Sequence, residues 1–323
     1  MVLYTGELGG KLNRKILISG GCGFIGSHLC DFFIKNGDIV WCIDNFITSE
    51  RKNIQHLVEN KNFILIEKNL LEVDENELNE KFNYVLHFAS PASPVDYIKY
   101  PIETLKVNSI GTEKMLNIAL KSNSVFLFAS TSEVYGDPLV PIQNEEYWGN
   151  VNPIGIRSVY DEGKRYGEAL TMAYHRKFKL NTKIIRIFNT YGPRMRLNDG
   201  RVIPNFIYNA LNNKPLPIYG DGKQTRSFCY IDDLINGIIK VLEVDYNLPI
   251  NLGNPEEFTI IELAEKIERI FGKKLGIKYL PALPDDPRKR KPDITLAKKL
   301  LSWEPKISLE EGLKKTIEYY ISL

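Results

Sequence analysis

A glycine-rich turn between a strand and a helix is the feature that most restricts how this chain can fold. The run Lys15-Ile16-Leu17-Ile18-Ser19 predicts a short buried strand, and Ser27 to Asn36 predicts a helix. The glycines of the turn recur at every third position: Gly20, Gly23 and Gly26. One glycine permits the tight turn, one lets the backbone approach a pyrophosphate, and one lets the helix pack closely on the strand. Because the helix N-terminus also offers free N–H groups to phosphates, the stretch predicts a dinucleotide-binding βαβ unit.

A carboxylate follows at the end of the next predicted strand. Ile39 to Ile43 is apolar, and Asp44 comes directly after it, about 20 residues beyond the glycine turn, where an acid accepts hydrogen bonds from the adenosine ribose and repels a 2′-phosphate. No arginine follows directly to bind such a phosphate. The sequence therefore favours NAD over NADP as the cofactor.

Apolar runs alternate with helical segments through the first half of the chain. Further strands are predicted at 63–66, 84–88 and 124–128, and a long helix is predicted at 102–122. This alternation is typical of an α/β protein. We expect a Rossmann-type doubly wound parallel sheet with a smaller C-terminal substrate-binding lobe.

The pattern changes at Lys183, where a strand to Phe188 is followed by short strands, turns and cationic side chains. Such a loop-rich segment is suited to binding an anionic ligand. We therefore expect a flexible N-terminal lead at 1–14, a mainly NAD-binding Rossmann domain at 15–182, and a mainly substrate-binding lobe at 183–323. No polar linker separates the last two parts, so we expect the lobe to be interleaved with the same sheet.

A second group of chemically useful side chains follows the strand that ends near Ala129. Thr131 follows this apolar run after Ser130, and Tyr160 and Lys164, four residues apart, share one face of a predicted helix. A lysine ammonium near a phenol is expected to lower the phenol's pKa from about 10. Thr131 could hydrogen-bond the same phenol or a substrate hydroxyl. The three residues predict a general base that takes a proton from an alcohol while hydride leaves its carbon.

A run of four cations, Arg288 to Lys291, lies between two predicted helices at 259–271 and 309–321. Such a run is most often a solvated face, and it is also typical of a nuclear-localisation or nucleic-acid patch. The flanking acids and prolines instead favour a defined loop, in which arginine could hold a diphosphate or carboxylate with two parallel hydrogen bonds.

Composition excludes several classes of protein. The chain has 323 residues, 43% hydrophobic and 25% charged, with a formal net charge of +2, as expected for a soluble globular protein. Four unpaired cysteines and four scattered histidines do not predict a zinc site. No run has the length of a signal peptide core or a membrane span, so we expect neither membrane attachment nor secretion.

The glycine spacing together with Tyr-x-x-x-Lys resembles the extended short-chain dehydrogenase/reductase family. The resemblance implies that NAD lies across the sheet with a sugar nucleotide beyond it. It implies cofactor contacts from these residues: Gly20, Gly23, Phe24, Ile25, Gly26, Asp44, Asn45, Asn69, Ala89, Asn108, Tyr160 and Lys164. Asn69 departs from the family, which usually has an aspartate there to meet the adenine. An amide can still hydrogen-bond the ring amine, and a plain loop residue is an equal alternative.

Several further motifs narrow the resemblance. Ser90-Pro91-Ala92-Ser93-Pro94, Thr131 to Pro138, Asn152-Pro153-Ile154-Gly155 and the basic loop together are similar to the UDP-glucuronate decarboxylases, over nearly the whole chain. Nucleotide-hexose 4,6-dehydratases of the dTDP-glucose kind have aspartate where this chain has Ser132.

This resemblance implies decarboxylation of UDP-glucuronate to UDP-xylose through a 4-keto intermediate, with NAD recycled in each turnover. The implied catalytic residues are Thr131, Ser132, Glu133, Tyr160, Lys164 and Arg290. The implied substrate-binding residues are Lys106, Asn189, Arg201, Val202, Tyr219, Arg226, Arg288 and Arg290. The alternatives are another enzyme on the same scaffold (a 4,6-dehydratase, a 4-epimerase or a 4-keto-pentose-forming oxidase) or a non-catalytic NAD-binding regulator.

The resemblance also implies partners. Members of the extended family commonly pair through two long helices, here predicted at 102–122 and 160–178, so we expect a homodimer. We expect no nucleic-acid partner and a cytoplasmic location.

Overall fold

Seven parallel strands form the central sheet of the computed structural model, which describes residues 13–281 and 290–323. The strand order is β11-β6-β5-β4-β1-β2-β3, and every neighbouring pair is parallel. The strands are β1 (Lys15–Ser19), β2 (Ile39–Asp44), β3 (Phe63–Glu67), β4 (Tyr84–His87), β5 (Val125–Thr131), β6 (Thr182–Ile187) and β11 (Pro249–Leu252). The predicted doubly wound sheet is confirmed, and its order reverses between β1 and β4, where such sheets bind ligands.

Six further strands pair two by two outside this sheet. They are β7 (Thr190–Tyr191) with β10 (Cys229–Tyr230), β8 (Leu216–Tyr219) with β13 (Ile277–Leu280), and β9 (Thr225–Ser227) with β12 (Glu257–Thr259). They belong to the second half of the chain, where the sequence predicts short strands and turns.

Ten α-helices accompany the strands in the described ranges. They are α1 (Phe24–Lys35), α2 (Pro94–Lys99), α3 (Pro101–Lys106), α4 (Thr112–Ser122), α5 (Ser158–Phe178), α6 (Val202–Leu211), α7 (Ile231–Glu243), α8 (Ile260–Phe271), α9 (Thr295–Leu301) and α10 (Leu309–Ile321). None of these helices is both long and apolar enough to cross a membrane.

The long helix predicted at 102–122 is divided in the structure. A π turn, Val107–Gly111, joins α3 to α4. Hydrophobic periodicity could not reveal this change, because one extra residue in a turn alters the apolar spacing very little. π turns of this kind occur frequently at functional sites.

The strand β11 and the helix α7 are missing from the sequence predictions. The strand is only four residues long, and it begins with proline, which is tolerated at the edge of a sheet. Its pairing with β6 places a segment of the second half in the central sheet.

One buried cluster connects the two halves of the chain. Ile18, Phe206, Leu234 and Leu313 all belong to it, and each is inaccessible to solvent. The second half is therefore packed on the same core as the first.

The predicted flexible lead, 1–14, falls mostly outside the described residues. Its last position is an exception, since the Arg14 guanidinium binds Asp38 through Nε at 3.0 Å and Nη2 at 2.6 Å. This bidentate ion pair attaches Arg14 to the residue just before β2, and the flexibility of the lead stays a prediction.

Candidate functional site

The glycine turn brings β1, α1 and β4 unusually close together. Gly20 has a φ of 75°, and a Cβ there would lie 2.6 Å from the Ala89 backbone nitrogen. A Cβ on Gly26 would lie 2.1 Å from the Gly20 carbonyl oxygen. Only glycine fits at either place. The approach leaves the N-terminus of α1 open to the cleft, as a bound pyrophosphate requires.

Asp44 lies at the end of β2 and is held rigidly. Its carboxylate accepts hydrogen bonds from the backbone N–H of Cys22 at 3.0 Å, the backbone N–H of Phe46 at 2.9 Å, and the Ser49 hydroxyl at 2.8 Å. Burial raises the pKa of this carboxyl, and the three hydrogen bonds oppose that effect. These contacts aim a carboxylate at the cleft, where it can still accept from ribose hydroxyls.

A second part of the cleft surrounds Asp44. It is lined by Asn45, Asn69, Ala89 and Lys106, among other residues. The Asn69 side-chain oxygen accepts from the Leu71 N–H at 3.1 Å and retains one lone pair for an adenine amine. Lys106, an implied substrate ligand, lines this part of the cleft and not the cavity around Tyr160.

Asn108 lies in the π turn and is completely buried. Its Nδ2 donates to the Ser90 hydroxyl and to the Thr104 carbonyl, both at 2.9 Å. Its Oδ1 has no hydrogen-bond partner among the residues that the structure describes. Asn108 lines neither described part of the cleft, so its role as a cofactor contact stays a prediction.

The catalytic group predicted from the sequence comes together in three dimensions. Thr131 ends β5, while Tyr160 and Lys164 lie on the first turns of α5. The Thr131 hydroxyl lies near the Tyr160 phenol and favours its phenolate. Lys164 Nζ lies 5.7 Å from the centre of the Tyr160 ring and donates to the Ala129 carbonyl at 2.8 Å. All three side chains line one large cavity.

The expected lowering of the Tyr160 pKa is wrong for the polypeptide itself. Burial raises the pKa of this phenol to about 12, although the Thr131 hydrogen bond and the Arg201 charge oppose the shift. Burial also lowers the pKa of Lys164 to about 7. Desolvation of both groups therefore outweighs their mutual attraction, which the helical spacing could not indicate.

Glu133 bridges two arginines in the same cavity. Its carboxylate is bound by Arg157 Nη2 at 2.6 Å on one oxygen and by Arg290 Nη1 on the other. Arg290 also donates to the Gly136 carbonyl at 3.1 Å, and only 5% of the residue is exposed. Ser132 lies beside Glu133 and is also buried. Three residues that are far apart in the sequence therefore form one cluster, in which the Glu133 carboxylate lies between two guanidinium groups.

The sequence predictions do not include Arg157, although its position just before the helix that carries Tyr160 indicates a place near the site. It directly precedes α5, three residues before Tyr160, and lines the cavity. Tyr97 is also missing from them. Its ring stacks on Tyr160, with centroids 5.2 Å apart and an interplanar angle of 10°.

The remaining implied substrate ligands line the same cavity: Asn189, Arg201, Val202, Tyr219 and Arg226. Arg201 is paired with Asp199, with Nη2 at 2.7 Å from Oδ2. Phe24 and Ile25 border the cavity beside the glycine turn. Arg288 falls outside the described residues.

Two cations of the basic run are engaged inside the protein. Arg290 binds Glu133, and Lys291 Nζ lies 3.0 Å from Glu257 Oε2. The backbone N–H of Lys291 also donates to the Gln143 side chain at 2.9 Å. These contacts favour the defined loop over a solvated nucleic-acid patch.

Comparison with known proteins now decides the family. The model of the NAD dependent epimerase/dehydratase family matches residues 16–253. The chain belongs to the NAD-dependent epimerase/dehydratase family. NAD is accordingly its cofactor, and the glycine turn and Asp44, which line the cleft, fit that molecule.

Relatives within this family indicate which branch the chain resembles. It is 50% identical over 315 residues to UDP-glucuronic acid decarboxylase 2 of Arabidopsis thaliana, covering 95% of this chain and 70% of that protein. It is 48% identical over 310 residues to UDP-glucuronic acid decarboxylase 1 of Danio rerio, covering 96% and 73%.

A solved structure in the epimerase/dehydratase family has the same architecture. The Bacillus cereus UDP-glucuronic acid 4-epimerase, crystallised with UDP-glucuronic acid and NAD, has a TM-score of 0.85 and 33% identity to this chain. The comparison covers 95% of this chain and 99% of that one.

Proposed function

We propose that this chain is a UDP-glucuronate decarboxylase, which releases the C5 carboxylate of UDP-glucuronate as CO₂ and forms UDP-xylose. The observation that carries the proposal is the Arg157–Glu133–Arg290 cluster in the same cavity as Tyr160. Guanidinium groups bind carboxylates with paired hydrogen bonds, so the cluster is suited to a sugar acid. The identity to decarboxylases of a plant and a fish supports the same substrate.

Direct loss of this carboxylate is slow because the carbanion left at C5 cannot delocalise its charge. Oxidation of the neighbouring C4 hydroxyl produces a β-keto acid, from which the electrons flow into an enolate. NAD supplies the hydride acceptor for this oxidation and the hydride donor for the final reduction at C4. The overall reaction therefore has no net change of redox state.

Tyr160 takes the proton of the C4 hydroxyl. The Thr131 hydrogen bond and the Arg201 charge both favour its phenolate, against the effect of burial. Lys164 lies on the face of the phenol ring and adds a further positive charge when it is protonated. After decarboxylation Tyr160 returns the proton to the C4 oxygen, since hydride transfer to a ketone requires it.

Arg290 and Arg157 bind and place the substrate carboxylate, and Glu133 orients the two guanidinium groups. Glu133 is held as a carboxylate by both arginines, so its own charge repels the substrate carboxylate and favours departure as neutral CO₂. Ser132 supplies only a hydroxyl where dTDP-glucose dehydratases have an acid. Loss of water from C6 therefore has no strong proton donor here.

A 4-epimerase is the second candidate, since the UDP-glucuronic acid 4-epimerase has the same architecture at 33% identity. Such an enzyme shares the cofactor cradle and the oxidation at C4, but it keeps the carboxylate. The two candidates differ in their products: the decarboxylase forms CO₂ and a UDP-pentose, and the epimerase forms a UDP-hexuronate without CO₂.

The deciding experiment incubates the purified protein with NAD and carboxyl-labelled UDP-glucuronate, traps labelled CO₂, and identifies the nucleotide sugar by mass and NMR. UDP-xylose together with one CO₂ per sugar is the expected result. A UDP-hexuronate epimer without CO₂ would establish the epimerase, and a 4-keto-pentose with stoichiometric reduced cofactor would establish the oxidase. Boiled protein and UDP-glucose as substrate are the controls.

A homodimer is part of this proposal. Apolar side chains remain exposed on the paired helices, namely Ile102, Leu105 and Ile110 on the α3–π–α4 segment, and Tyr166 and Phe178 on α5. Contiguous exposed apolar surface is typical of an interface. A dimer mass in analytical ultracentrifugation, reduced to a monomer mass by Ile110→Asp, is the expected result.

The proposed location is the cytoplasm. All four cysteines carry free, buried thiols, as is usual in a reducing compartment. Imaging of a fluorescent fusion of the full chain tests this location.

A further inference from the structure

The proposed decarboxylation, on which this inference rests, consumes one proton. A C–C bond breaks when CO₂ leaves, and a C–H bond must form at C5. The proton that Tyr160 removes from the C4 hydroxyl returns to the C4 oxygen in the final reduction. A second acid must therefore protonate C5.

Three polar groups already assigned to the site are poorly suited to this task. Glu133 lies between two guanidinium groups, which favour its deprotonated form. Arg290 is engaged with Glu133 and with the Gly136 carbonyl. The Thr131 hydroxyl accepts from the Glu133 N–H at 3.2 Å and favours the Tyr160 phenolate. Each of these groups is occupied by another role.

Tyr97 meets the requirement for an acid. The short helix α2, capped by the Ser93 hydroxyl, carries it into the cavity that holds Tyr160, Glu133 and Arg290. The residue is 1% exposed, and its hydroxyl is buried without a hydrogen-bond partner in the described part of the chain. A buried hydroxyl without a partner is costly, so this group is expected to meet its partner in a bound ligand.

Tyr97 lies close to the groups that act on both reaction centres, the C4 hydroxyl and the substrate carboxylate. Its ring stacks on the ring of Tyr160, the base at C4. The charges of Arg157 and Arg290, which bind the carboxylate, act on its phenol. C5 is the carbon bonded both to C4 and to the carboxylate, so it must lie between these two centres.

The electrostatics suit an acid that keeps its proton until it is needed. Burial raises the pKa of Tyr97 to about 12, so the phenol is protonated at neutral pH. An enolate carbon is a far stronger base than a phenolate. Once the proton has moved, the two arginines stabilise the phenolate that remains.

We propose that the Tyr97 hydroxyl is a catalytic acid that protonates C5 after CO₂ departs. The electron pair of the enolate forms the new C5–H bond, the C4 carbonyl forms again, and the phenolate regains a proton from solvent. The proton balance of the reaction is then complete without an additional co-reactant.

The test compares the unmodified enzyme, Tyr97→Phe and Tyr100→Phe in D₂O with carboxyl-labelled UDP-glucuronate. Tyr100 lies between α2 and α3, outside the cavity-lining residues, and is the matched control. Single-turnover measurements follow reduced cofactor by absorbance, CO₂ by trapping, and C5 deuteration of UDP-xylose by NMR. The phenylalanine ring keeps the stack on Tyr160, so oxidation should remain within about twofold of the unmodified rate.

In Tyr97→Phe, UDP-xylose should form about 100-fold more slowly than CO₂ is released, in line with the loss of a general acid. Deuterium, placed at one stereochemical position by the unmodified enzyme, should occupy both. Tyr100→Phe should behave as the unmodified enzyme does. Incorporation of 3-fluorotyrosine at position 97, which keeps an acidic hydroxyl, should restore the single position of deuterium and provides a folded variant if Tyr97→Phe is unstable.

Three results would overturn the inference in distinguishable ways. Normal rate and stereospecific deuteration in Tyr97→Phe would show that another acid acts while the decarboxylase assignment stands. Equal losses of oxidation, CO₂ and UDP-xylose would show that Tyr97 only positions Tyr160. Absence of CO₂ from the unmodified enzyme would remove the proposed function and this inference together.

Discussion

The cofactor cleft and the Arg157–Glu133–Arg290 cluster are built in opposite ways. The cleft around the glycine turn uses backbone N–H groups and one carboxylate from consecutive elements, β1, α1 and β2. The cluster around Glu133 uses charged side chains that are far apart in the sequence, with 24 positions to Arg157 and 157 to Arg290. A site made from neighbouring elements tolerates changes elsewhere, whereas a site made from distant side chains depends on the whole fold.

The two regions also differ in how charge is balanced. In the cleft, three neutral donors hold Asp44, so the loss of one leaves the others in place. In the cluster, Glu133 is the single anion between two cations, and its loss leaves both guanidinium charges without a counter-charge. The following substitutions test this contrast, in order of decreasing effect.

The largest loss is expected where the two regions meet, at Tyr160. Tyr160→Phe removes the base that serves oxidation at C4, which must precede decarboxylation. Reduced cofactor and CO₂ should both fall by about 10²–10⁴-fold, the usual contribution of a general base. Stopped-flow absorbance and CO₂ trapping measure the two steps, and Tyr166→Phe on the same helix is the control. Normal CO₂ release from Tyr160→Phe would contradict the mechanism.

A smaller and more selective loss is expected in the cluster. Arg290→Lys keeps the charge but not the paired hydrogen bonds to a carboxylate, so CO₂ release should fall while cofactor reduction continues. Glu133→Ala leaves two unpaired guanidinium groups and should also lower the free energy of unfolding by about 3–5 kcal/mol. Urea denaturation measures the second effect, and Lys291→Arg in the same loop is the matched control. Near-normal turnover of Arg290→Lys would remove the specific role assigned to this residue.

In the cofactor cleft, we expect a substitution to weaken NAD binding and to leave the turnover rate unchanged. Asp44→Ala removes the acceptor for the ribose hydroxyls and should weaken NAD binding by about 1.5–3 kcal/mol, as for hydrogen bonds to a charged group. Titration calorimetry measures NAD affinity, and turnover at saturating NAD should change little. Tight binding of NADP by the unmodified protein would contradict the role of Asp44.

The last effect concerns stability and not NAD binding or turnover, and it is expected in the pH dependence of unfolding without ligands. Burial lowers the pKa of Lys164 from 10.5 to about 7, so the unfolded chain holds more protons than the folded one between these values. The contribution of Lys164 to the free energy of unfolding should therefore rise as the pH increases from about 7 to 10. Thermal unfolding of the unmodified protein and Lys164→Met across this range isolates the contribution as a difference. A parallel pH dependence for the two proteins would exclude it.

The sequence by itself determined the parts of the protein that depend on local spacing. The glycine turn, the strand that ends in Asp44 and the helical spacing of Tyr160 and Lys164 are each readable within about thirty residues, because hydrophobic periodicity and glycine geometry act over short distances. The alternation of strands and helices was enough to predict the doubly wound sheet, and the helix at Leu309–Ile321 was predicted with its observed bounds.

Tertiary structure decided which distant side chains meet and how they ionise. Arg157 and Arg290 pair with Glu133, and Tyr97 stacks on Tyr160, because β5, α2, α5 and the segment after 289 converge on one cavity. No local pattern contains that convergence. The upward shift of the Tyr160 pKa has the same origin, since burial is a property of the folded chain and here exceeds the effect of neighbouring charges.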